Sequence, residues 1–253
     1  MVALLLALLL PLAASAQGFP WELSPRLPVA APRWFIGAGS SFALLPSTTT
    51  LQAIEGGWTC ATYRSGAGAG LSATALAELW LWPESSLQGA LSVEHATLTL
   101  AAPAQPLPLA DGRLLETEFQ LRLRLLALRA EVTWKRQLYR WLWIGASGWA
   151  ALQWRTREEQ WEVVRRPEDF FFRTLPPSRE RRLGQSIQTA FRPYGVGLRL
   201  RVGYDLPLAR FSPLYLSPSV FVGTSLISLL QTAAWQRYEI GVTTAVLWGL
   251  TEH

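Results

Sequence analysis

The sequence is poor in the residues that carry most thiol, amine and imidazole chemistry. It has one cysteine, Cys60, one lysine, Lys135, and two histidines, His95 and His253. No disulfide can form within the chain, and no cysteine-based metal site can be built from it. His95 lies in an alternating apolar segment and His253 ends the chain, so neither is favoured as a catalytic base. We expect neither a metal nor another cofactor.

Long apolar runs are missing after the N-terminus. Residues 1–16 hold an unbroken apolar run from Val2 to Leu10, followed by small residues at 14–16, and predict a signal peptide. The alternative is a membrane anchor, although a spanning helix needs about 20 residues. Four prolines in residues 17–32 predict an extended periplasmic lead-in, which leaves residues 33–253 as one domain.

Sequence signatures of enzymes and of nucleic-acid binding are also missing. Neither H-E-x-x-H nor G-x-S-x-G occurs, and the glycines of 66–70 are not followed by the Lys-Ser or Lys-Thr of a phosphate loop. The net charge of +5 comes from arginines that alternate with apolar residues or lie among acids. The chain is therefore predicted to be no enzyme and to bind no nucleic acid.

Alternation of apolar and polar residues is abundant. From Tyr194 to Asp205 every even position is apolar or aromatic and every odd position is Gly, Arg or Asp. Because successive side chains of a strand point to opposite faces, this segment has one apolar and one polar face. Two folds fit the pattern, a soluble sandwich with the apolar face inside and a membrane barrel with it outside.

Eight segments alternate in this way: 34–44, 71–82, 87–101, 116–134, 138–154, 194–205, 211–229 and 237–250. Within 116–134 the phase changes near Leu125 and Leu126, which predicts a β-bulge. That segment is rich in Leu, Ala, Arg and Glu, so a helix is an alternative on propensity alone.

The connections between these segments alternate in length. Short turns are predicted near Glu84, at 135–137 and at 206–210, and long loops at 46–66, 102–115, 155–187 and 230–236. An even number of strands with short turns at one end and long loops at the other is typical of outer-membrane barrels, and no rule of sandwiches sorts loops this way. The fold predicted is all-β, an eight-stranded antiparallel up-and-down transmembrane β-barrel.

Several motifs carry a resemblance to a known family. These are Trp34–Gly39, Ile144–Gly148, Gly197–Tyr204 and the alternating last strand. In them the chain resembles the small porin-like outer-membrane β-barrels of Gram-negative bacteria, and the resemblance implies location in the outer membrane. That family commonly ends on an aromatic residue, whereas the nearest aromatic here is Trp248, five residues before the C-terminus.

The non-lipid face of the predicted barrel collects charges of both signs. An eight-stranded barrel is just wide enough for its side chains to fill it, so we predict Arg-carboxylate pairs that plug the lumen. A pore-lining or ligand-binding role is the alternative. The predicted lumen residues are Glu78, Glu94, Arg122, Arg124, Arg129, Glu131, Arg199, Arg201 and Glu239.

Aromatic residues and one long loop complete the prediction. An aromatic girdle is predicted at the periplasmic rim from Trp80, Trp82, Tyr139, Trp141, Trp143, Tyr204 and Trp248.

In the 155–187 loop, a candidate surface for a protein or glycolipid partner consists of Phe170, Phe171, Phe172, Arg165 and Arg166; a solvated loop is the alternative. The function predicted is structural or surface-binding, in contact with outer-membrane lipid. A narrow channel or small-solute transporter and a secretion-complex barrel are the alternatives.

Overall fold

Hydrogen bonds join eight long strands into a closed ring. A computed structural model describes residues 33–55, 58–82, 84–139, 141–183, 191–208, 213–231 and 233–250. The strands are β1 Trp34–Leu44, β2 Ser65–Trp82, β3 Ser85–Pro103, β4 Leu114–Tyr139, β5 Leu142–Arg166, β6 Tyr194–Tyr204, β7 Leu214–Ser225 and β8 Trp235–Leu250. Each is antiparallel to its neighbours in sequence, and β1 also pairs with β8, which removes the sheet edges. The predicted all-β barrel is confirmed.

Shorter strands extend this wall. Ser47–Thr49 continues the line of β1 between β8 and β2, and Gln52–Glu55 pairs with Trp58–Thr62 in a separate hairpin. Three more pairs involve Leu107–Pro108 with β4, Glu180–Arg182 with β5, and Leu206–Pro207 with β7. None of the described residues forms a helix with the length and hydrophobicity needed to cross a membrane. The helical alternative for 116–134 was wrong.

The boundaries of β4 and β5 differ most from the prediction. The turn predicted at 135–137 was wrong, because these residues belong to β4 and the connection lies at 140–141. Residues 155–166, predicted as part of a loop, belong to β5. Clusters of charged residues suggested surface connections at both places, although here they lie on paired strands. The signal peptide and lead-in of residues 1–32 lie outside the described residues.

The barrel has a turn end, where the short connections lie, and a loop end with the long ones. On β3 the inward side chains are Ser86, Gln88, Ser92 and Glu94 in the half nearest the turn end, called here the lower half. They are Ala96, Leu98, Leu100 and Ala102 in the upper half. On β4 the inward side chains change in the same way, from Arg129, Glu131, Thr133 and Lys135 to Phe119, Leu121, Leu123 and Leu125. The lower interior is therefore polar and the upper interior apolar.

The outer face of β4 shows the opposite change. Its lower half carries Leu128, Val132 and Trp134, all well exposed, and its upper half carries Gln120, Arg122 and Arg124. An apolar outside around a polar inside is the arrangement of a barrel in lipid, whereas a polar outside around an apolar inside is that of a barrel in water. One continuous strand thus shows both arrangements in turn.

A bulge lies where the two halves meet, on β5 rather than on β4. Leu126 pairs with Arg155 and Ala127 with Gln153, so Trp154 has no partner across the strand. Below it the inward residues of β5 are odd-numbered, and above it they are even-numbered. The bulge predicted on β4 near Leu125 and Leu126 was wrong, because β4 pairs with β3 without a shift and its inward residues stay odd-numbered; the change there is in which face is apolar.

Two apolar clusters pack inside the ring. The upper one includes Leu98, Leu100, Leu121, Leu123 and Trp235, all almost fully buried. The lower one lies at the turn end and combines Phe35, Tyr215 and Leu247 with the partly buried Leu76, Trp80 and Trp141. Most charged side chains of the interior lie on the lower half of the wall, and buried Glu162 of β5, 2.5 Å from Arg181, is an exception in the upper half.

Candidate functional site

A cluster of buried charges fills the middle of the barrel. Its members come from four strands: Glu94 from β3, Arg129 and Glu131 from β4, Arg199 and Arg201 from β6, and Arg237 and Glu239 from β8. Alternation along each strand points every one of these side chains inward. We call this set the arginine cluster.

Glu239 is the centre of the arginine cluster. Arg129 donates to its Oε1 at 2.8 Å, and Arg237 donates to the same oxygen at 2.8 Å. The Nε of Arg199 donates to its Oε2 at 2.7 Å. One carboxylate on β8 therefore connects side chains of β4, β6 and β8 across the lumen, at full burial.

Glu94 and Glu131 complete the pairing. Glu94 lies 2.5 Å from Arg129 and 3.3 Å from Arg237, while Glu131 lies 2.9 Å from Arg199 and 2.6 Å from Arg201. Each arginine of the cluster thus has at least one carboxylate partner. Buried charges are tolerated when they are paired and hydrogen-bonded in this way.

Aromatic rings support two of these arginines. The guanidinium carbon of Arg129 lies 4.3 Å from the ring centre of Trp149, and that of Arg199 lies 4.4 Å from the ring centre of Phe221. A cation over the face of an aromatic ring is stabilised by the quadrupole of the ring. The rings also occupy lumen volume, so they help to exclude water from the cluster.

A second charged group lies nearer the turn end. Lys135 donates to Glu78 at 2.9 Å and to Asp205 at 3.3 Å, and all three side chains are buried. Glu78 also accepts a hydrogen bond from Ser86 at 2.8 Å, and Asp205 accepts one from Ser217 at 2.6 Å. We call this set the lysine cluster.

The formal charges of the two clusters compensate each other. The arginine cluster combines four arginines (129, 199, 201 and 237) with three glutamates (94, 131 and 239), which leaves one positive charge. The lysine cluster combines one lysine with two carboxylates, which leaves one negative charge. Together they are neutral, as the interior of a closed barrel needs to be.

Little space remains around these groups. A cavity of about 30 Å³ lies between the arginine cluster and the small residues of β1 and β2, and another of about 20 Å³ lies above it. Since one water needs about 10–15 Å³, each has room for only a few water molecules. Around the arginine cluster, side chains of the described residues fill most of the interior.

The structure places the predicted lumen residues in three groups. Glu94, Arg129, Glu131, Arg199, Arg201 and Glu239 lie in the arginine cluster, and Glu78 lies in the lysine cluster. The prediction that Arg122 and Arg124 face the lumen was wrong, because both lie on the outer face of β4. Leu121, Leu123 and Leu125, which alternate with them, face the upper core. The prediction therefore grouped the residues correctly by face, but it placed the wrong face inside.

The sequence prediction missed at least four interior charges: Arg237, Asp205, Lys135 and Glu162, the last of which lies on the inward face of β5 above the bulge. Arg237 and Asp205 share the face of residues that were included, Glu239 on β8 and Arg201 on β6, so alternation alone would have found them. Lys135 was assigned to a turn, although it continues the odd-numbered inward series of Arg129, Glu131 and Thr133. A strict count along β4 would have placed it inside.

Three residues of the predicted aromatic girdle also need correction. Trp80 and Trp141 pack inside against the lower apolar cluster, and Trp143 is buried with Lys135 Nζ 4.5 Å from its ring centre. Trp80 shares the inward face of Glu78, and the pairing of β2 with β3 shifts between Trp80 and Trp82. Trp82 and Trp248 are exposed, and Tyr139 and Tyr204 are half-buried near the turn end.

Outward aromatic side chains stand at two levels of the wall. Towards the turn end are Trp34, Trp134, Tyr204 and Trp248, and towards the loop end are Trp154, Tyr194 and Tyr238. Along β6 and along β8 the two levels are about ten residues apart, which is the length of a tilted transmembrane strand. Exposed Leu198, Leu200 and Val202 lie between them on β6. This apolar belt is the surface that hydrocarbon would cover.

The predicted partner surface is divided between strand and loop. Arg165 ends β5 with Arg166 and is paired with Glu118 of β4 at 2.7 Å. Phe170 and Phe172 pack edge to face at 6.0 Å, and Phe171 between them is exposed.

No group of residues resembles a metal site or a histidine-based catalytic site. The described residues contain no group of three or more His, Cys, Asp or Glu side chains placed to hold a metal. His95 lies on the outer face of β3, opposite Leu126 of β4. The chemistry of the interior is charge pairing.

Comparison with solved structures finds outer-membrane and surface proteins. They include neisserial surface protein A (9% identity, 86% of this chain and 97% of that chain, TM-score 0.35) and outer membrane protein AlkL in lipid bilayers (10%, 90% and 95%, 0.41). A third is outer membrane protein OprG of Pseudomonas aeruginosa (9%, 87% and 98%, 0.34). The closed ring of this chain rests on the hydrogen bonds described above. No family model and no curated protein matches the chain.

Proposed function

We propose that this chain is an outer-membrane β-barrel with a filled, charge-paired interior, which acts as a structural or surface-binding protein. The observation that carries the proposal is the arginine cluster, a set of buried ion pairs that joins four strands across the lumen. An open pore would need these side chains in water. An enzyme would need a nucleophile or an acid-base pair at an accessible position.

The outer surface supports a membrane location. The apolar belt between the two aromatic levels has the height of about 25 Å that a barrel presents to lipid. With the short connections in the periplasm, as is usual for bacterial barrels, the upper half stands above the outer leaflet. The inversion of the outer face of β4 from Leu128 to Arg124 agrees with this orientation, because that strand leaves hydrocarbon and enters water.

The part above the membrane is then a small water-exposed barrel with its own apolar core. Leu98, Leu121 and Leu123 fill it, and paired charges such as Arg165 with Glu118 cover its outer face. This part is a rigid surface for recognition. The exposed Phe171 and its neighbours lie at its end and are the proposed contact for a protein partner.

The test measures barrel formation and conductance on one preparation. Protein refolded into lipid vesicles is expected to migrate differently on gels before and after heating, and to give no steady ion conductance in a planar bilayer. Ohmic conductance from heat-modifiable protein would contradict the filled interior and would favour the narrow channel instead. Absence of heat modification would contradict the membrane barrel.

A further inference from the structure

Two arginines on the upper outer wall have no acidic partner. Arg124 of β4 and Arg155 of β5 are exposed, and neither forms an ion pair with another described residue. Other arginines of the same wall are paired: Arg122 with Glu180 at 3.0 Å, Arg157 with Glu159 at 2.8 Å and Arg165 with Glu118 at 2.7 Å. Arg124 and Arg155 therefore add positive charge at this level of the wall that no described carboxylate compensates.

The pairing of β4 with β5 concentrates that charge. Arg124 lies directly opposite Arg157, and Arg155 lies opposite Leu126 two rungs nearer the turn end, on the same outer face. Like charges directly opposite each other destabilise a strand pair. An anion bound between these guanidinium groups would remove the repulsion, so the site is complementary to negative charge.

The height of these arginines on the wall identifies the anion. Trp154, the unpaired bulge residue directly before Arg155, is 78% exposed and marks the upper limit of the apolar belt. Below it, Leu128 and Leu152 are exposed on the two strands. A molecule that covers this hydrocarbon surface and also reaches Arg124 and Arg155 is a membrane lipid with an anionic headgroup.

We propose that Arg124 and Arg155, together with Trp154, bind a phosphate of a phosphorylated glycolipid in the outer leaflet, with Arg157, which is already paired with Glu159, beside them. Guanidinium groups bind phosphate through paired, charge-assisted hydrogen bonds. Tryptophan prefers the interface between acyl chains and headgroups, which is the level that the bulge gives to Trp154. This proposal rests on the membrane orientation proposed above. It names phosphorylated glycolipid as the class of ligand for the proposed surface-binding role.

The experiment compares three proteins in detergent micelles. Native mass spectrometry counts diphosphoryl lipid A bound to the wild type, to the double variant R124Q/R155Q and to the control R136Q. Arg136 is an exposed arginine near the turn end, 3.8 Å from Glu84. We expect the double variant to bind about tenfold more weakly, since hydrogen bonds to charged groups contribute at least that much, and R136Q to bind as the wild type does. Fully dephosphorylated lipid A is expected to bind the wild type as weakly as diphosphoryl lipid A binds the double variant.

The results separate the lipid site from the barrel. If all three proteins are heat-modifiable on gels and bind diphosphoryl lipid A equally well, the proposed lipid site is refuted and the proposed membrane barrel still stands. The site is also overturned if R136Q loses as much lipid binding as the double variant, or if inorganic phosphate at matched concentration displaces the lipid. Either result would mean that the lipid is held by non-specific charge attraction. If the wild type is not heat-modifiable, the membrane barrel fails and the lipid site fails with it.

Discussion

Arg129 and Glu239 face each other across the lumen from β4 and β8, joined by two hydrogen bonds of 2.8 and 3.2 Å. Both are almost completely buried, and they are 110 residues apart in the chain. A contact so distant in sequence forms only when the ring is closed. The pair therefore links closure of the barrel to charge compensation in its interior.

Replacing Glu239 with Gln is expected to destabilise the barrel strongly. Arg129, Arg199 and Arg237 would lose their shared carboxylate, and breaking a buried ion pair costs about 3–5 kcal/mol. Urea unfolding in lipid vesicles, followed by tryptophan fluorescence, measures the change. Glu84→Gln is the control, because Glu84 is exposed and should change the free energy of unfolding by less than about 0.5 kcal/mol. Equal effects of the two variants would contradict the role of Glu239.

Replacing Lys135 with Met is expected to leave two buried carboxylates without their cation. Glu78 and Asp205 both accept from Lys135, so the loss of unfolding free energy should again be about 3–5 kcal/mol. Adding Glu78→Gln to the same protein should restore part of this loss, and a double-mutant cycle in urea measures the coupling. Additive effects would show that the three groups do not act as one cluster.

Replacing Gly197 with Ala is expected to disturb the arginine cluster through packing. The new Cβ would lie 2.3 Å from a ring carbon of Trp149 and 2.4 Å from the carbonyl oxygen of Thr224. Trp149 is the ring beneath Arg129, so its displacement adds to the strain, and we expect a loss of about 1–3 kcal/mol. Gly148→Ala is the matched control, since its Cβ meets nothing within 4 Å. Thermal unfolding of both variants measures the loss. If the two variants unfold at the same temperature, the tight contact at Gly197 is refuted.

Replacing Leu123 with Ala tests the apolar upper core. Leu123 is almost fully buried there, and removing a buried leucine side chain costs about 2–5 kcal/mol. Leu128→Ala is the control, because Leu128 faces outward in the belt. The two variants are compared by urea unfolding in vesicles. A larger loss for Leu128 than for Leu123 would mean that the faces of β4 are assigned the wrong way round.

An acid-sensitive contact ties two loops together at the loop end. Arg113 donates to Asp111 at 2.7 Å and to Asp169 at 2.8 Å. For Asp111, hydrogen bonds from the backbone and side chain of Arg113 lower the pKa below its usual 3.8; for Asp169, the hydrogen bond from the Arg113 side chain is the largest cause of a pKa below 3.8. A lowered pKa means that the contact is fully present above the ordinary value and is lost as the pH falls through the lowered one.

Carbon NMR titration of the Asp169 carboxyl checks this sign. In the wild type its apparent pKa should lie below 3.8, and in Arg113→Gln it should return towards that value. Glu118 offers a comparison on the same wall: partial burial raises its pKa, but hydrogen bonds from Arg165 and Gln120 outweigh burial and lower it below 4.5. An Asp169 titration unchanged by Arg113→Gln would contradict the contact.

The ring of strands could be predicted from sequence because alternation and loop length are local signals. The limits of β1 were predicted to the residue, and the alternation of Tyr194 to Asp205 gave β6 and its inward Arg199 and Arg201. What a local pattern does not contain is which face is inside. Along β4 the apolar face changes from inside to outside, since Leu121 is an interior residue in the upper half and Leu128 faces outward in the lower half.

The errors at Lys135 and in 155–166 have the same physical origin. Charged residues usually mark water-exposed turns, and both stretches were assigned to connections for that reason. Here Lys135 lies inside the lumen and Arg157 lies on the outer face of a paired strand in the upper half. Both exceptions depend on the closed ring, which is a property of the whole molecule.

The bulge at Trp154 and the change of face on β4 have a consequence for biogenesis. The wall above them carries Arg122, Arg124, Arg155 and Arg157 on its outside, and in the proposed orientation a precursor that inserts from the periplasm would have to move all four through hydrocarbon. An arginine at the midplane of the bilayer costs about 2–4 kcal/mol. Unaided insertion should therefore be slow, and translocation of the β4–β5 hairpin should be the step that an assembly machine accelerates most.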